Sequence, residues 1–253
     1  MNSSDRKVAV VTGGARGIGR AVCERLAATG LQVVVDYPSE DDDGGATVAA
    51  IEAAGGSAVA IRADVSRKDE VDALFASVLE RFGRVDVLVN NAGICPFSEF
   101  LEIDEELWDR VHAVNLKGAF LCSQAAARAM LARGEGGRIV SVSSISALVG
   151  GPLQVHYTPT KAGVRSLMQS LAIVLGPHGI TCNSVLPGTI ATDINAAFFE
   201  DAETLRRYEQ GIPTGRLGSP ADVAGAVAYL VSDEAAYVNG ADILVDGGAF
   251  VTL

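Results

Sequence analysis

Cysteine is sparse and scattered: four in 253 residues, Cys23, Cys95, Cys122 and Cys182, with no C-x-x-C pair. Without that spacing, or zinc-ligand intervals among the three histidines, neither a disulfide framework nor a metal site is expected. The cysteines read as free thiols in a reducing compartment. Basic residues are in deficit. The chain carries 20 Lys+Arg against 31 Asp+Glu, a net charge of −11 with a pI near 4.7, which argues against nucleic acid as a partner because phosphate backbones need a basic face. Also missing are any stretch of about 18 uninterrupted apolar residues and any basic-then-apolar leader over Met1 to Val11. Neither a membrane partner nor export is expected, and cytoplasm is the default. No Pro/Gly/Ser-rich linker and no fixed-period repeat divides the chain, so one domain over 1–253 is expected.

Apolar residues are abundant, at 49% hydrophobic against 20% charged, enough to bury a large core rather than stay disordered. They fall in two patterns. Short β-branched runs at Val8–Thr12, Gln32–Asp36, Ala58–Ala63, Val85–Asn90, Arg138–Ser143, Thr181–Leu186 and Asp242–Val245 read as strands buried on both faces. Between them lie stretches of helical period. In Lys68–Phe82, residues Val71, Leu74, Phe75, Val78, Leu79 and Phe82 make one apolar stripe. The alternation predicts an α/β fold, a single doubly wound domain whose central sheet of about seven strands is mostly or fully parallel. The run from Glu40 to Gly45 reads as a solvated turn before a helix. The segment 192–213, more charged and weakly periodic, is expected to be a lid over a site.

The first strand runs into Thr12-Gly13-Gly14-Ala15-Arg16-Gly17-Ile18-Gly19 and then directly into an apolar helix. Glycines let the backbone turn tightly and approach a pyrophosphate, whose charge is favoured by the free N–H groups at the helix start. In this strand-turn-helix context the loop points to a dinucleotide, and the domain to the Rossmann type. Asp36 follows Gly19 by 17 residues, near the offset at which an acid meets the adenosine ribose. A carboxylate there favours NAD and repels the extra phosphate of NADP. Arg16 could pair with that phosphate, so NADP stays possible.

Thr12–Gly19, Asn90-Asn91-Ala92-Gly93, Tyr157-Thr158-Pro159-Thr160-Lys161 and Pro187-Gly188 stand in the order of the short-chain dehydrogenase/reductase family, which the chain resembles over essentially its whole length. The resemblance implies catalytic roles for Asn115, Ser144, Tyr157 and Lys161. It also implies coenzyme contacts at Gly13, Arg16, Gly17, Ile18, Gly19, Asp36, Asp64, Val65, Asn91, Ala92, Gly93, Tyr157, Lys161, Pro187, Gly188, Ile190 and Thr192. The residues support it. Tyr157 and Lys161 lie four apart at a helix start and share one side. Lowering a phenol's pKa from about 10 to 7 takes roughly 4 kcal/mol, about what one ammonium 4 Å away supplies at an effective dielectric near 20. Ser143 rivals Ser144, and the family's spacing selects Ser144. Asn115 sits inside an apolar helix predicted over Leu107–Met130, where its poor propensity suggests a functional constraint, consistent with holding a water that relays protons to Lys161. His156 reads as pocket wall or solvent-facing, since no acid is placed to orient it. Trp108 reads as a helix-packing anchor.

Further stretches, including Asn90 to Phe97, Ser143 to Gly151 and Leu186 to Asn195, resemble the branch of the family that oxidises the anomeric carbon of a 6-deoxy sugar such as L-rhamnose to its lactone. A monosaccharide would then meet Ser144, Ser146, Gln154, Tyr157, Thr189 and Asn195, neutral groups suited to uncharged hydroxyls. The resemblance also implies a homo-tetramer. Two alternatives stand beside this reading: a 3-oxoacyl carrier-protein reductase, which would favour NADPH and a basic docking face, and a non-catalytic NAD-binding sensor.

Overall fold

The computed structural model describes residues 6–39, 43–192 and 200–252. Its centre is one sheet of seven strands: β1 (Val8–Val11), β2 (Gln32–Tyr37), β3 (Ser57–Arg62), β4 (Val87–Asn90), β5 (Gly137–Val142), β6 (Ile180–Pro187) and β7 (Asp242–Val245). All neighbours are parallel, in the order β3-β2-β1-β4-β5-β6-β7. Each of the seven apolar runs named from the sequence forms a strand, within two residues at either end. The chain turns back on itself beside β1, so β1 and β4 are spatial neighbours but far apart in sequence, and the crevice above their carboxyl ends is where such sheets bind ligands.

Among the described residues there are eight α-helices: α1 (Gly17–Ala28), α2 (Gly44–Ala53), α3 (Lys68–Phe82), α4 (Glu105–His112), α5 (Gly118–Arg133), α6 (Thr158–Leu175), α7 (Ala202–Gln210) and α8 (Pro220–Val231), of which all but α4 and α7 pack on the two faces of the sheet. Alternation along the strands divides the core in two. Val10, Val34, Leu88 and Ile139 pack with α3, α5 and α6, while Val11, Val35, Val89 and Val140 pack with α1, α2 and α8. Each such side chain, fully buried, contributes about 1.5–3 kcal/mol. In α3 the apolar stripe buries Val71, Leu74, Phe75 and Val78, whereas Leu79 lies at its edge, 40% exposed. Within the charge run, Asp43 caps α2 by accepting from the Ala46 N–H at 3.0 Å; Glu40, Asp41 and Asp42 lie outside the described residues.

The periodicity predicts one helix over Leu107–Met130. The chain forms two, α4 and α5, joined by a π-helical turn over Ala113–Lys117 that contains Asn115. One widened turn admits a residue the regular ladder has no place for, a device common at functional sites. Trp108 is no core anchor: it stacks on His112 with ring centroids 4.2 Å apart, at the surface.

Glycine is obligatory where β1 gives way to α1. A Cβ on Gly19 would overlap the Gly13 carbonyl oxygen and sit 2.5 Å from Asn91 Nδ2. Gly225, on the exposed side of α8, has nothing within 4 Å of such a Cβ. In urea unfolding, Gly19→Ala is expected to cost about 3 kcal/mol, and Gly225→Ala to stabilise by about 0.5–1 kcal/mol. Equal effects at the two sites would contradict this account of the turn.

Candidate active site

The β1–α1 turn is built for close approach. Gly13 and Gly17 take φ of 64° and 54°, and Arg16, at the N-cap of α1, makes no side-chain cap, leaving the first N–H groups of the helix to a ligand. Thr12 ties this turn to the end of β4, its hydroxyl oxygen accepting from Asn91 N–H at 3.0 Å and Ala92 N–H at 3.1 Å. The Asn91 amide returns two bonds of 3.0 Å to the Thr12 and Gly13 carbonyls.

Ser144 follows β5, and its Oγ accepts the Ser146 N–H at 3.0 Å. That leaves its proton to donate, and its interaction with Tyr157 favours the ionised phenol. The rival Ser143 is spoken for, its hydroxyl donating to the Lys161 carbonyl at 2.8 Å. Tyr157 opens α6 and Lys161 lies one turn on, with Nζ 5.5 Å from the tyrosine ring centroid. The ammonium donates to the Val142 carbonyl at 2.9 Å. Here the arithmetic of a single ammonium acidifying the phenol fails. Desolvation by burial, with Cys95 adding to it, pushes the Tyr157 phenol well above its ordinary range, and the contact with Ser144 only partly offsets this. Burial likewise pulls Lys161 down to about 8. Both groups are therefore set toward their neutral forms before any coenzyme binds.

Asn115 is 2% exposed and does not reach the cleft. Its side chain clamps Ile94 from both sides, accepting from the N–H at 2.8 Å and donating to the carbonyl at 2.9 Å. Next to it a cavity of about 10 Å³, bounded by Thr12, Asn90, Asn115 and Lys161, has about the space of one water, and Asn90 Oδ1 is buried there without a partner. His156 is fully buried, neither pocket wall nor solvent-facing. Its Nε2 bonds the Pro96 carbonyl at 2.8 Å, so the segment between Ile94 and Pro96 is pinned by Asn115 at one end and by Tyr157's neighbour at the other.

A cleft of about 1630 Å³ opens above these groups. Of the residues expected to meet the coenzyme, all line it except Gly19, which packs beneath the turn. Ser144, Ser146, Gln154, Tyr157 and Thr189 line it as well; Asn195 lies outside the described residues. Asp36 does so at 1% exposure, with Oδ1 unpartnered. From the sequence, the stretch from Asn90 to Phe97 is expected to line the pocket only as a segment, with the individual contacts not named. Cys95, read as a free thiol, comes within 3.5 Å of Gln154 Nε2, which is itself joined to Ser146 at 3.3 Å; burial pushes its thiol up to about 11. Phe97 adds an apolar wall, and Arg207 and Tyr208 of α7 reach in from the far side. The last two fall within the segment 192–213 read as a lid, although neither is singled out there.

A family model described as enoyl-(acyl carrier protein) reductase matches residues 13–249. The chain belongs to the short-chain dehydrogenase/reductase family. It is 53% identical over 250 residues to an L-rhamnose 1-dehydrogenase (NAD(P)(+)) of Azotobacter vinelandii, covering 98% of each chain. Identity to an L-rhamnose 1-dehydrogenase (NAD(P)(+)) of a Sphingomonas species is 51%, covering 100% of each. Among solved structures, a short-chain type dehydrogenase/reductase from Mycobacterium marinum superposes with a TM-score of 0.90 at 36% identity, covering 96% of this chain and 95% of that one. Among the described residues no group of His, Cys, Asp and Glu could hold a metal ion, and no helix is long and apolar enough to cross a membrane.

The site of this short-chain dehydrogenase/reductase fits a dinucleotide. The cradle is formed by glycines whose Cβ positions are taken: Gly13 by Ala92 Cα at 3.0 Å, Gly188 by Asp246 Cα at 2.9 Å. Burying Lys161 has a stability cost. The unfolded chain keeps this proton up to the ordinary lysine value of 10.5, while the folded chain releases it near 8. Stability from this group is therefore lowest below pH 8 and rises across that window. Lys161→Met should raise the unfolding free energy of the coenzyme-free protein at pH 7 by on the order of 3 kcal/mol, and should abolish the rise between pH 8 and 10. Denaturant unfolding at pH 7 and 9.5 checks both; a variant weaker than wild type at pH 7 contradicts the account.

Proposed function

We propose that the protein oxidises an aldose at C1 to its lactone with NAD or NADP, L-rhamnose or a sugar of the same shape being the substrate. The observation that carries this reading is the convergence of Ser144 on Tyr157, with Lys161 one turn behind, in a cleft lined by neutral hydrogen-bonding groups. An uncharged polyol needs such groups, because each buried hydroxyl left unmatched costs about 1–3 kcal/mol. Ser146, Gln154 and Thr189 offer them. The relatives' names supply the sugar.

When bound, the coenzyme supplies the acceptor for hydride from C1 and a positive charge beside the phenol. The glycine turn, with Arg16, would hold its pyrophosphate, and Asp64 and Val65 would flank its adenosine end. Ser144 holds the C1 oxygen by donating to it, and Tyr157 as phenolate removes the hydroxyl proton. Lys161, charged in the loaded site, stabilises that phenolate. Asn115 keeps the Ile94 backbone in place and borders the cavity from which a water can return the proton to Lys161. The stretch 192–213 is assigned the role of a lid, with α7 bringing Arg207 and Tyr208 over the sugar. The reading includes one domain over 1–253, a cytoplasmic location in keeping with four unpaired thiols, and a homo-tetramer for which exposed apolar residues such as Leu101, Ile173 and Val174 offer contact surface.

A carrier-protein reductase is disfavoured by charge: the chain's net charge of −11 opposes an acidic carrier protein. A panel of L-rhamnose, L-lyxose, L-mannose, L-fucose and D-galactose with each coenzyme, followed by formation of reduced nicotinamide, tests the substrate. L-rhamnose should lead; a flat panel removes the sugar assignment. Tyr157→Phe should lower kcat at least about 10³-fold while leaving the Kd for NAD within about threefold, measured by fluorescence titration. Retained turnover would reject Tyr157 as the base.

A further inference from the structure

The stretch from Asn91 to Glu99, which runs on from β4, has no helix or strand of its own, yet Cys95, Pro96 and Phe97 line the cleft. A backbone outside any ladder keeps its place through the bonds it makes to its neighbours. Beyond the Asn115 clamp on Ile94, this one is tied to the segment just before Tyr157. Gln154 Nε2 donates to Cys95 Sγ at 3.5 Å, His156 Nε2 bonds the Pro96 carbonyl at 2.8 Å, and Ser98 N–H donates to the Leu153 carbonyl at 3.2 Å. The middle tie comes from a fully buried side chain. A carbonyl can only accept, so Nε2 carries the ring proton. Nδ1 is then a bare lone pair, buried and with no partner among the described residues. Packing alone would be better served by an apolar side chain of similar size, since an unmatched polar atom in the interior is a cost. What the imidazole supplies is therefore its Nε2–H donor.

We propose that His156 is a positioning residue that sets the substrate-side wall of the cleft: by holding the Pro96 carbonyl it fixes where Cys95 and Phe97, on either side, meet the sugar. His156 does not itself line the cleft, so it acts only through that wall. Pro96 has no N–H, which leaves its carbonyl as the backbone group by which the chain can be tied at that point. The tyrosine has separate support. Its N–H donates to the Gln154 carbonyl at 2.9 Å, and its carbonyl accepts from the Thr160 hydroxyl at 2.6 Å and the Lys161 N–H at 3.2 Å. The coenzyme cradle is held independently, through Thr12 and Asn91. Releasing Pro96 therefore loosens the wall and leaves base and cradle where they are, so the loss falls on the fit of the sugar. The inference deepens the sugar-oxidation reading and rests on it.

The test is steady-state kinetics with L-rhamnose and NAD on His156→Gln, His156→Asn and His156→Leu. The Gln amide reaches about as far as the imidazole Nε2 and keeps the donor, the Asn amide is polar but stops short of Pro96, and Leu has no donor. His156→Asn and His156→Leu should raise KM for L-rhamnose about tenfold, the effect of losing one hydrogen bond, with kcat and the Kd for NAD within about threefold of wild type. His156→Gln should bring KM back to within about threefold. A rise in KM at constant kcat reports lost substrate fit, and a merely structural role would lower thermal stability without that split. An unchanged KM in His156→Asn and His156→Leu, an equal loss in all three variants, or a fall in kcat larger than the rise in KM would overturn the proposal and leave the sugar reading intact. Where the variants do not fold, nitrogen NMR of the wild-type imidazoles decides: the chain has three histidines, and His156, assigned with His112→Gln and His178→Gln, should carry its proton on Nε2. A proton on Nδ1 would overturn the proposal. Wild type that oxidises no sugar would overturn the sugar reading and this one with it.

Discussion

The strand order reverses between β1 and β4, and beyond their paired ladder the carboxyl ends of the two strands are tied by the reciprocal exchange between Thr12 and Asn91. The threonine oxygen accepts two backbone N–H groups from the β4 end, and the asparagine amide returns two bonds to the β1 end. These bonds are partly buried, where leaving a polar group unmatched is costly, so the glycine turn and the segment leading to Ile94 move as one body. The coenzyme cradle, the Asn115 clamp and the Pro96 tether all take their positions from that junction. Ser144 after β5, and Tyr157 and Lys161 at the start of α6, are then placed against a floor that is already set.

Polar burial is the recurring cost of this arrangement. Lys161, Tyr157 and Asp36 are each displaced toward the neutral form by loss of water rather than by any paired charge. A shift toward the neutral form lowers the penalty of an uncompensated ion in the empty site. A ligand that brings a compensating charge works against these shifts. The cost is borne by the same residues that would act, as is common where function and stability compete.

How much was legible beforehand follows from the range of the signals. Strands buried on both faces announce themselves as continuous Val and Ile runs, so all seven were readable, and the glycine turn was readable because no other residue fits its backbone. Asn115 was legible as an anomaly, but that it breaks the helix with a widened turn was not, since apolar periodicity runs on through Leu116 and Leu121. His156 was read as pocket wall or solvent-facing because the Pro96 carbonyl that it bonds lies 60 residues away and leaves no mark in the local pattern. Asp36 was assigned its charge from an offset along the chain, yet protonation depends on surroundings contributed by α1, α5 and the loop after β3. The same holds for the 5.5 Å between ammonium and ring, a distance that four-residue spacing permits but does not set.

The widened turn at Ala113–Lys117 separates two helical phases. An α-helix advances about 100° per residue, so one surplus residue rotates everything downstream by roughly that angle relative to a regular continuation. α4 and α5 are thereby decoupled. The face of α5 carrying Cys122, Ala126 and Met130 meets the sheet while α4 aims Glu106, Asp109 and Arg110 at the cleft rim, and no single uninterrupted helix could satisfy both. Shortening this turn by one residue would heal the helix and misalign one of its two surfaces, so its length is constrained alongside the identity of Asn115 within it.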